Sequence, residues 1–186
     1  EFIISADRDF GDFNIKALAG NLVRQTYRKD IFVGGNNLVI PTLFNVSNRT
    51  GEPGAGEFYQ RSRLVSAFGS VSLGYKNWAF VEFTGRNDWD SRLPLDANSY
   101  FYPGVNASVS LTDAIESLGN SKILSYAKLK AAWNKAGNVN AGVYSLESNF
   151  FTGGGFPYGS LPGFTASNSI NNPNTRPEVV ESYEAG

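Results

Sequence analysis

Apolar and polar residues alternate with a period of two along much of the chain, the pattern of strands that show one face to each of two environments. In Asn14 to Leu22, Ile15, Ala17 and Ala19 fall on one side and Asn14, Lys16 and Gly20 on the other. Leu64 to Tyr75 sets Val65, Ala67, Val71 and Leu73 against Ser66, Ser70 and Ser72. Trp78 to Arg86 opposes Ala79, Val81 and Phe83 to Glu82, Thr84 and Arg86, although Trp78 and Phe80 join the polar side. Val105 to Leu111 alternates almost without fault, and Ser125 to Asn134 sets Leu129, Ala131 and Trp133 against Lys128, Lys130 and Asn134. A further strand begins near Ser182. The pattern predicts an all-β chain of about six strands in an antiparallel meander.

The connections alternate in length. Lys76-Asn77 reads as a tight hairpin turn, and Asp113 with Glu116 reads as a capping-box pair in a compact helical connection closed by Gly119. Residues 23–63, 87–102 and 136–181 read instead as long loops rich in Gly, Pro, Asn and Tyr. Short turns at one end and long loops at the other are the habit of a transmembrane barrel. A soluble β-sandwich shares the alternation but not this rhythm. Strand lengths near the ~10 residues that cross a bilayer at a tilt also favour the barrel. So do charges held to one face (Lys16, Glu82, Lys128, Lys130) and the aromatics Tyr75, Trp78, Tyr126 and Trp133 near strand ends. Lys16, Glu82, Arg86, Lys128 and Lys130 are thereby expected to line a hydrated lumen.

Composition narrows the chemistry. There is no Cys and no His among the 186 residues, which removes disulfides, thiolate and the usual zinc sites, and Ser-His-Asp or Cys-His catalysis. The net charge of −1 gives no electrostatic reason to expect nucleic acid as a partner. No apolar run approaches the ~18 residues of a membrane helix, and a mean hydropathy of −0.24 suits strands that hide their apolarity by alternation.

Two stretches carry a family resemblance. Gly85-Arg86-Asn87-Asp88-Trp89-Asp90-Ser91-Arg92-Leu93-Pro94, followed by Ser99-Tyr100-Phe101-Tyr102-Pro103, resembles the strand-loop-strand signature of SusC/RagA-type TonB-linked outer-membrane proteins. The segment from Leu124 to Asn138 resembles that family's next strand, in the same order and at similar spacing. Asn172 to Glu178, with Ser182 to Gly186, resembles a segment shared more widely among TonB-dependent receptors. Ala127 stands where Gly is frequent in the family, and Thr175 where an apolar residue is usual. The resemblance implies that residues 1–186 are part of a barrel of about 22 strands, without signal peptide, plug domain or the remaining strands, and inactive alone. It further implies a parent in the bacterial outer membrane that imports a glycan or peptide, is energised by TonB, and works with a SusD-like lipoprotein; no enzyme chemistry and no cofactor are implied.

Several residues invite other readings. Asp88 and Asp90, two apart, could hold a hard cation such as calcium or act as a glycosidase pair, but the multi-oxygen spacing of a calcium loop is missing and neighbouring loop carboxylates rarely straddle a glycosidic bond. No metal site is expected. Gly54-Ala55-Gly56 and Gly153-Gly154-Gly155 read as loop glycines without a phosphate-cradle context. Sequons at Asn45, Asn48 and Asn106 match by composition. Aromatic and polar loop residues are the stronger ligand candidates: Trp89, Asp90, Arg92, Tyr100 and Tyr102 first, with Asn98, Phe101, Phe150, Phe151, Phe156 and Tyr158 beside them. Two alternatives to the importer remain: a soluble extracellular β-domain that binds carbohydrate through these loops, and a carboxylate-based glycoside hydrolase.

Overall fold

The structure, a computed structural model, describes residues 1–120, 123–152 and 158–186. Gly153-Gly154-Gly155 and Phe156 lie outside the described residues. In chain order the elements are β1 (Phe2–Phe10), β2 (Phe13–Gly34), β3 (Gly54–Tyr75), β4 (Ala79–Asp90), β5 (Ser99–Ser110), α1 (Leu111–Ala114), α2 (Glu116–Gly119), β6 (Lys128–Asn138), β7 (Phe150–Thr152), β8 (Phe164–Ala166) and β9 (Glu178–Ala185). Seven strands form one sheet in the order β1-β2-β3-β4-β5-β6-β9, and β7 and β8 pair separately as a small hairpin. The meander is therefore as expected, with one strand more than the pattern predicts. β1 escapes notice because Arg8 interrupts its apolar side and Ile3 its polar side.

Two compact units make up the chain: residues 1–24 with 63–186, and residues 25–62. In the first, the registers fix which side chains share a face. Tyr75↔Ala79↔Val109↔Leu129 and Val71↔Phe83↔Val105↔Trp133↔Tyr183 run across neighbouring strands on one side. Ser72↔Glu82↔Asn106↔Ala132↔Glu184 runs across on the other. The apolar side is uncovered, with Val71 43%, Phe83 49%, Leu129 57% and Tyr183 75% exposed. Among the described residues only Leu93 and Val139 are buried hydrophobics. A sandwich buries one face of each sheet against the other, so the soluble two-layer expectation is not met.

The short end of the sheet is built by turns. Lys76 and Asn77 adopt φ of +45° and +59°, the left-handed pair of a type I′ hairpin whose twist matches its strands. Lys76 N–H donates to the Asp12 carbonyl at 2.8 Å, and its ammonium pairs with the Asp12 carboxylate at 3.3 Å, which holds the Lys76 pKa above its ordinary value through that hydrogen bond. Phe13, Tyr75 and Trp78 form a ring cluster there, at 4.8 Å and 5.5 Å between successive centroids. Trp133, expected near a strand end, instead sits mid-strand opposite Val105 and Tyr183.

The connection between β5 and β6 departs from the expected capping box. Neither short helix has a side-chain cap; Ser110 hydroxyl donates to the Asp113 carboxylate instead, because Ser110 ends β5 and faces the first turn.

In the unit of residues 25–62, strand pairing runs well past the expected ends. Tyr27 and Tyr59 meet edge to face at 5.0 Å, Lys29 pairs with Glu57 at 3.0 Å, and Arg61 donates to Gln25 at 3.3 Å. Gly54 to Gly56 begin β3 and are not loop glycines; Gly56 lies under the Phe32 ring, where a side chain would collide. The loop between β2 and β3 is organised by the Asn48 amide, which donates to the carbonyls of Ile40 (2.8 Å) and Leu43 (2.7 Å) and accepts from Ile40 N–H (3.0 Å). Asn48 is thus 8% exposed with its amide fully engaged, and Asn106 lies inside β5.

Replacing Asn77 by Val puts a β-branched residue at positive φ. We expect a loss of about 1–2 kcal/mol, read as a lower unfolding midpoint, whereas Lys76→Gly keeps the turn, loses the exposed Asp12 pair and the ammonium's contact with the Tyr75 ring, and shifts the midpoint less.

Candidate functional site

The long-loop end of the β3-β4-β5 hairpins gathers three of the six buried polar residues among those described, Ser66, Asp88 and Asp90. Asp88 and Asp90 close β4, one register step apart on the same side, and are 4% and 2% exposed. Buried carboxylates need partners, and each has an arginine two residues away. Arg86 donates to Asp88 at 2.8 Å through Nε, and its Nη2 reaches Ser66 Oγ at 2.9 Å; Tyr102 hydroxyl donates to the other Asp88 oxygen. The Arg86 guanidinium also lies 5.8 Å from the centre of the Phe68 ring. Arg92 grips Asp90 in a fork, with Nη2 at 2.6 Å and Nε at 3.0 Å, and its backbone N–H adds a third donor at 2.9 Å. Bonding to Asp90 holds the Arg92 guanidinium above its already high pKa.

Both carboxylates are therefore consumed by fixed cations, which leaves neither a cation cage nor an acid/base pair. No cluster of three or more metal-ligating side chains occurs among the described residues. The Asp90 fork fixes the loop that follows. Asp90 N–H donates to the Asn98 carbonyl and Leu93 N–H returns to Asp90, so Leu93 tucks under the loop at 3% exposure. Ser91 ties the loop to β3, donating through N–H to the Arg63 carbonyl at 2.9 Å and accepting Arg63 N–H on its hydroxyl at 2.8 Å.

Four of the five foremost ligand candidates come together here. Tyr100 and Tyr102 lie 5.8 Å apart on the side of Asp88 and Asp90, and Tyr100 lies over Gly137 of β6, where an added Cβ would stand 2.8 Å from the ring. Trp89 parts from them. The expectation placed it in a loop, but it belongs to β4, and strand alternation turns it to the apolar side beside Val65 and Ser99, 39% exposed. Phe101 shares that side at 64% exposed.

The lumen candidates share one face. Glu82 accepts from Asn106 at 3.3 Å, Asn106 accepts from Asn134 at 3.2 Å, and a groove beside them is lined by Ser72, Ser108, Lys128, Lys130 and Glu184. Lys16 pairs with Asp7 at 3.4 Å on the same side, since Asn14 of its strand meets Gly74, two steps from Ser72. Lys16, Glu82, Lys128 and Lys130 keep to this face, but charge is not confined to it. Arg8, Lys135 and Glu181 lie on the apolar side, and Glu181 is surrounded by Trp133 Nε1 (2.7 Å), Tyr183 hydroxyl (2.7 Å) and Lys135 (3.5 Å).

Sequence reasoning missed one groove of about 440 Å³ at the loop end, where Ser91 and Arg92 face Tyr144, Leu146, Glu147 and Asn149. Tyr144 holds φ at +62°, a left-handed conformation unusual for an aromatic residue. Nothing in the alternation of a long loop marks such a position.

A single-layered antiparallel sheet with one apolar and one charged face, short turns at one end and long loops at the other, is the wall design of outer-membrane β-barrels. The comparisons give that class a narrower address. TonB-dependent receptor P3 of Formosa agariphila is 25% identical over 156 residues, spanning 81% of this chain and 15% of the receptor. Structures of the RagAB peptide importer match over 98–99% of this chain and 20% of theirs, with a TM-score of 0.82 at 16% identity for the closed-closed state and 0.76 at 18% for the open-open state. No protein-family model matches the chain. The SusC/RagA resemblance read from the sequence is thus met by a TonB-dependent receptor in sequence and by RagAB in fold, and the chain spans about a fifth or less of the length of these relatives. They are named as a receptor and an importer, not as enzymes.

Asp90→Ala removes three donors' common acceptor and leaves Arg92 without a partner. We expect a local loss on the order of 2–3 kcal/mol, seen as faster protease cleavage between Ser91 and Asn98 with the rest of the sheet intact. Arg92→Lys loses the two-pronged contact and falls between the two.

Proposed function

We propose that this chain forms part of the barrel wall of a TonB-dependent importer in the bacterial outer membrane, working with a SusD-like lipoprotein at its extracellular mouth. The observation that carries the reading is the agreement of nearly the whole chain with RagAB in fold, at a TM-score of 0.82, together with a sheet whose uncovered apolar face lipid would satisfy. In this reading Lys16, Glu82, Arg86, Lys128 and Lys130 line the lumen, and Trp89 with Phe101 sits at the outer lipid boundary, where indole and phenyl rings suit an interface.

The ligand passes the loop end. Tyr100 and Tyr102 offer ring surface, Asp90 serves as the anchor that holds Arg92 and its loop, and the groove of Arg92, Tyr144, Glu147 and Asn149 offers one cation, one anion and an amide. That mixture suits a peptide, with charged ends and a backbone to hydrogen-bond, better than a neutral oligosaccharide. The strained backbone at Tyr144 is the kind of cost that persists where a side chain must be aimed.

Fractionation of cells expressing the full-length protein, followed by uptake of labelled peptides and oligosaccharides with and without TonB, tests the reading. Recovery in the outer membrane and TonB-dependent uptake support it; recovery of folded protein in the soluble fraction sinks it. Combining Tyr144→Ala with Asn149→Ala is expected to lower peptide uptake by about tenfold, in keeping with the loss of two polar contacts, while the amount of folded barrel stays unchanged.

A further inference from the structure

The groove at the loop end is walled by two segments that are each fixed from within the chain. On one side the Asp90 fork holds Arg92, with Ser91 beside it. On the other, Ser145 hydroxyl donates to the Gly142 carbonyl at 2.7 Å and closes the turn that carries Tyr144 at positive φ. Asn171 then reaches back to the next stretch, where its side-chain amide donates to the Glu147 carbonyl at 2.8 Å and its N–H to Ser148 Oγ at 3.1 Å. Both walls follow strands that have a neighbour on either side, β4 and β6.

Charge in these walls does not balance. Arg92 gives its Nε and Nη2 hydrogens to the Asp90 carboxylate at 2.6 Å to 3.2 Å, so its positive charge is answered within its own wall. Arg92 and Asp90 cancel. Glu147 remains, exposed in the opposite wall and without an ion pair among the described residues. A carboxylate entering the groove would find the arginine already forked by another carboxylate and would lie beside Glu147, whereas a cation meets one uncancelled negative charge. The donor count narrows the cation further. A primary ammonium carries three N–H donors and no acceptor, and Glu147, Asn149 and Ser91 line the groove with side-chain oxygens for all three. The Tyr144 ring adds an aromatic face of the kind that attracts a cation.

We infer that this groove takes a primary ammonium of the transported peptide and that Glu147 is the residue that selects for it. The specificity rests on the peptide-importer reading given above, and it narrows the substrate to peptides that present an amine, at the amino terminus or on a lysine side chain.

TonB-dependent uptake of radiolabelled alanine hexapeptides by cells expressing the full-length protein tests it. Three are amidated at the carboxyl end: one with a free amino terminus, one acetylated there, and one acetylated with an internal lysine. A fourth is acetylated with a free carboxyl end. The free-amine peptide is expected to exceed its acetylated twin about tenfold, the worth of one charge-assisted contact. Glu147→Gln should bring that ratio close to one, Glu147→Asp should keep most of it, and Glu147→Lys should turn the preference toward the free carboxyl end, a reversal that a merely structural role would not produce. Uptake of the lysine peptide at the level of the free-amine peptide assigns the site to either amine; uptake at the level of the acetylated peptide confines it to the amino terminus. Heat-modifiable migration on gels reports that each variant has folded. Equal uptake of all four peptides by wild type overturns the site, as does an amine preference that survives Glu147→Gln. Absence of TonB-dependent uptake of every peptide overturns the importer reading itself, and the site with it.

Discussion

Everything in this chain depends on one continuous antiparallel ladder that is a single layer thick. Each interior strand satisfies its backbone groups through a neighbour on either side, within one sheet. The price is that both faces remain open, and each must suit what it meets. Period-two alternation follows from that constraint, because a one-residue slip would exchange charged and apolar rows along a whole strand. The registers from β3 to β9 keep Glu82, Asn106 and Glu184 on one side and Phe83, Val105 and Tyr183 on the other.

The two ends of the ladder solve different problems. At the short end a type I′ turn, a ring cluster and the Lys76–Asp12 pair fix register cheaply and leave little to vary. At the long end the strands carry carboxylates almost to their tips, where each is neutralised by an arginine from its own strand or loop. The Asp90–Arg92 fork makes the loop between β4 and β5 an extension of the rigid sheet, and a groove bordered by that loop inherits the rigidity. Arg86–Asp88–Tyr102 does the same between strands, linking β4 to β5 and, through Ser66, to β3.

How much of this could be read beforehand follows from the same physics. The central strands were legible because their two faces differ in chemistry at every step, as in Val105 to Leu111. Strand ends were not: Asn87, Asp88 and Asp90 are turn-formers by propensity, and their side chains are engaged by partners the pattern does not show, Ser99 for Asn87, and Arg86 and Arg92 for the two carboxylates. β1 was hidden by Arg8, and the far part of β2 by residues such as Ile31, Phe32 and Val33, which are exposed and apolar on both sides and give no period. Of the ligand candidates, Tyr100 and Tyr102 fell near the arginine-paired carboxylates, Trp89 turned to the opposite face once β4 was seen to include it, and Tyr144 had no pattern to betray it.

The exceptions to alternation then carry more information than the rule. A charge on the apolar face must be answered locally or by the surroundings. Lys135 and Glu181 answer each other, with Trp133 and Tyr183 donating to the same carboxylate, so that island is complete within the chain. Arg8 lies on the same face, on the outermost strand of the sheet described. Lys135 lies on β6 with β5 and β9 on either side, whereas Arg8 lies on β1 with only β2 beside it, so the ladder described supplies neighbours on two sides for the one charge and on one side for the other.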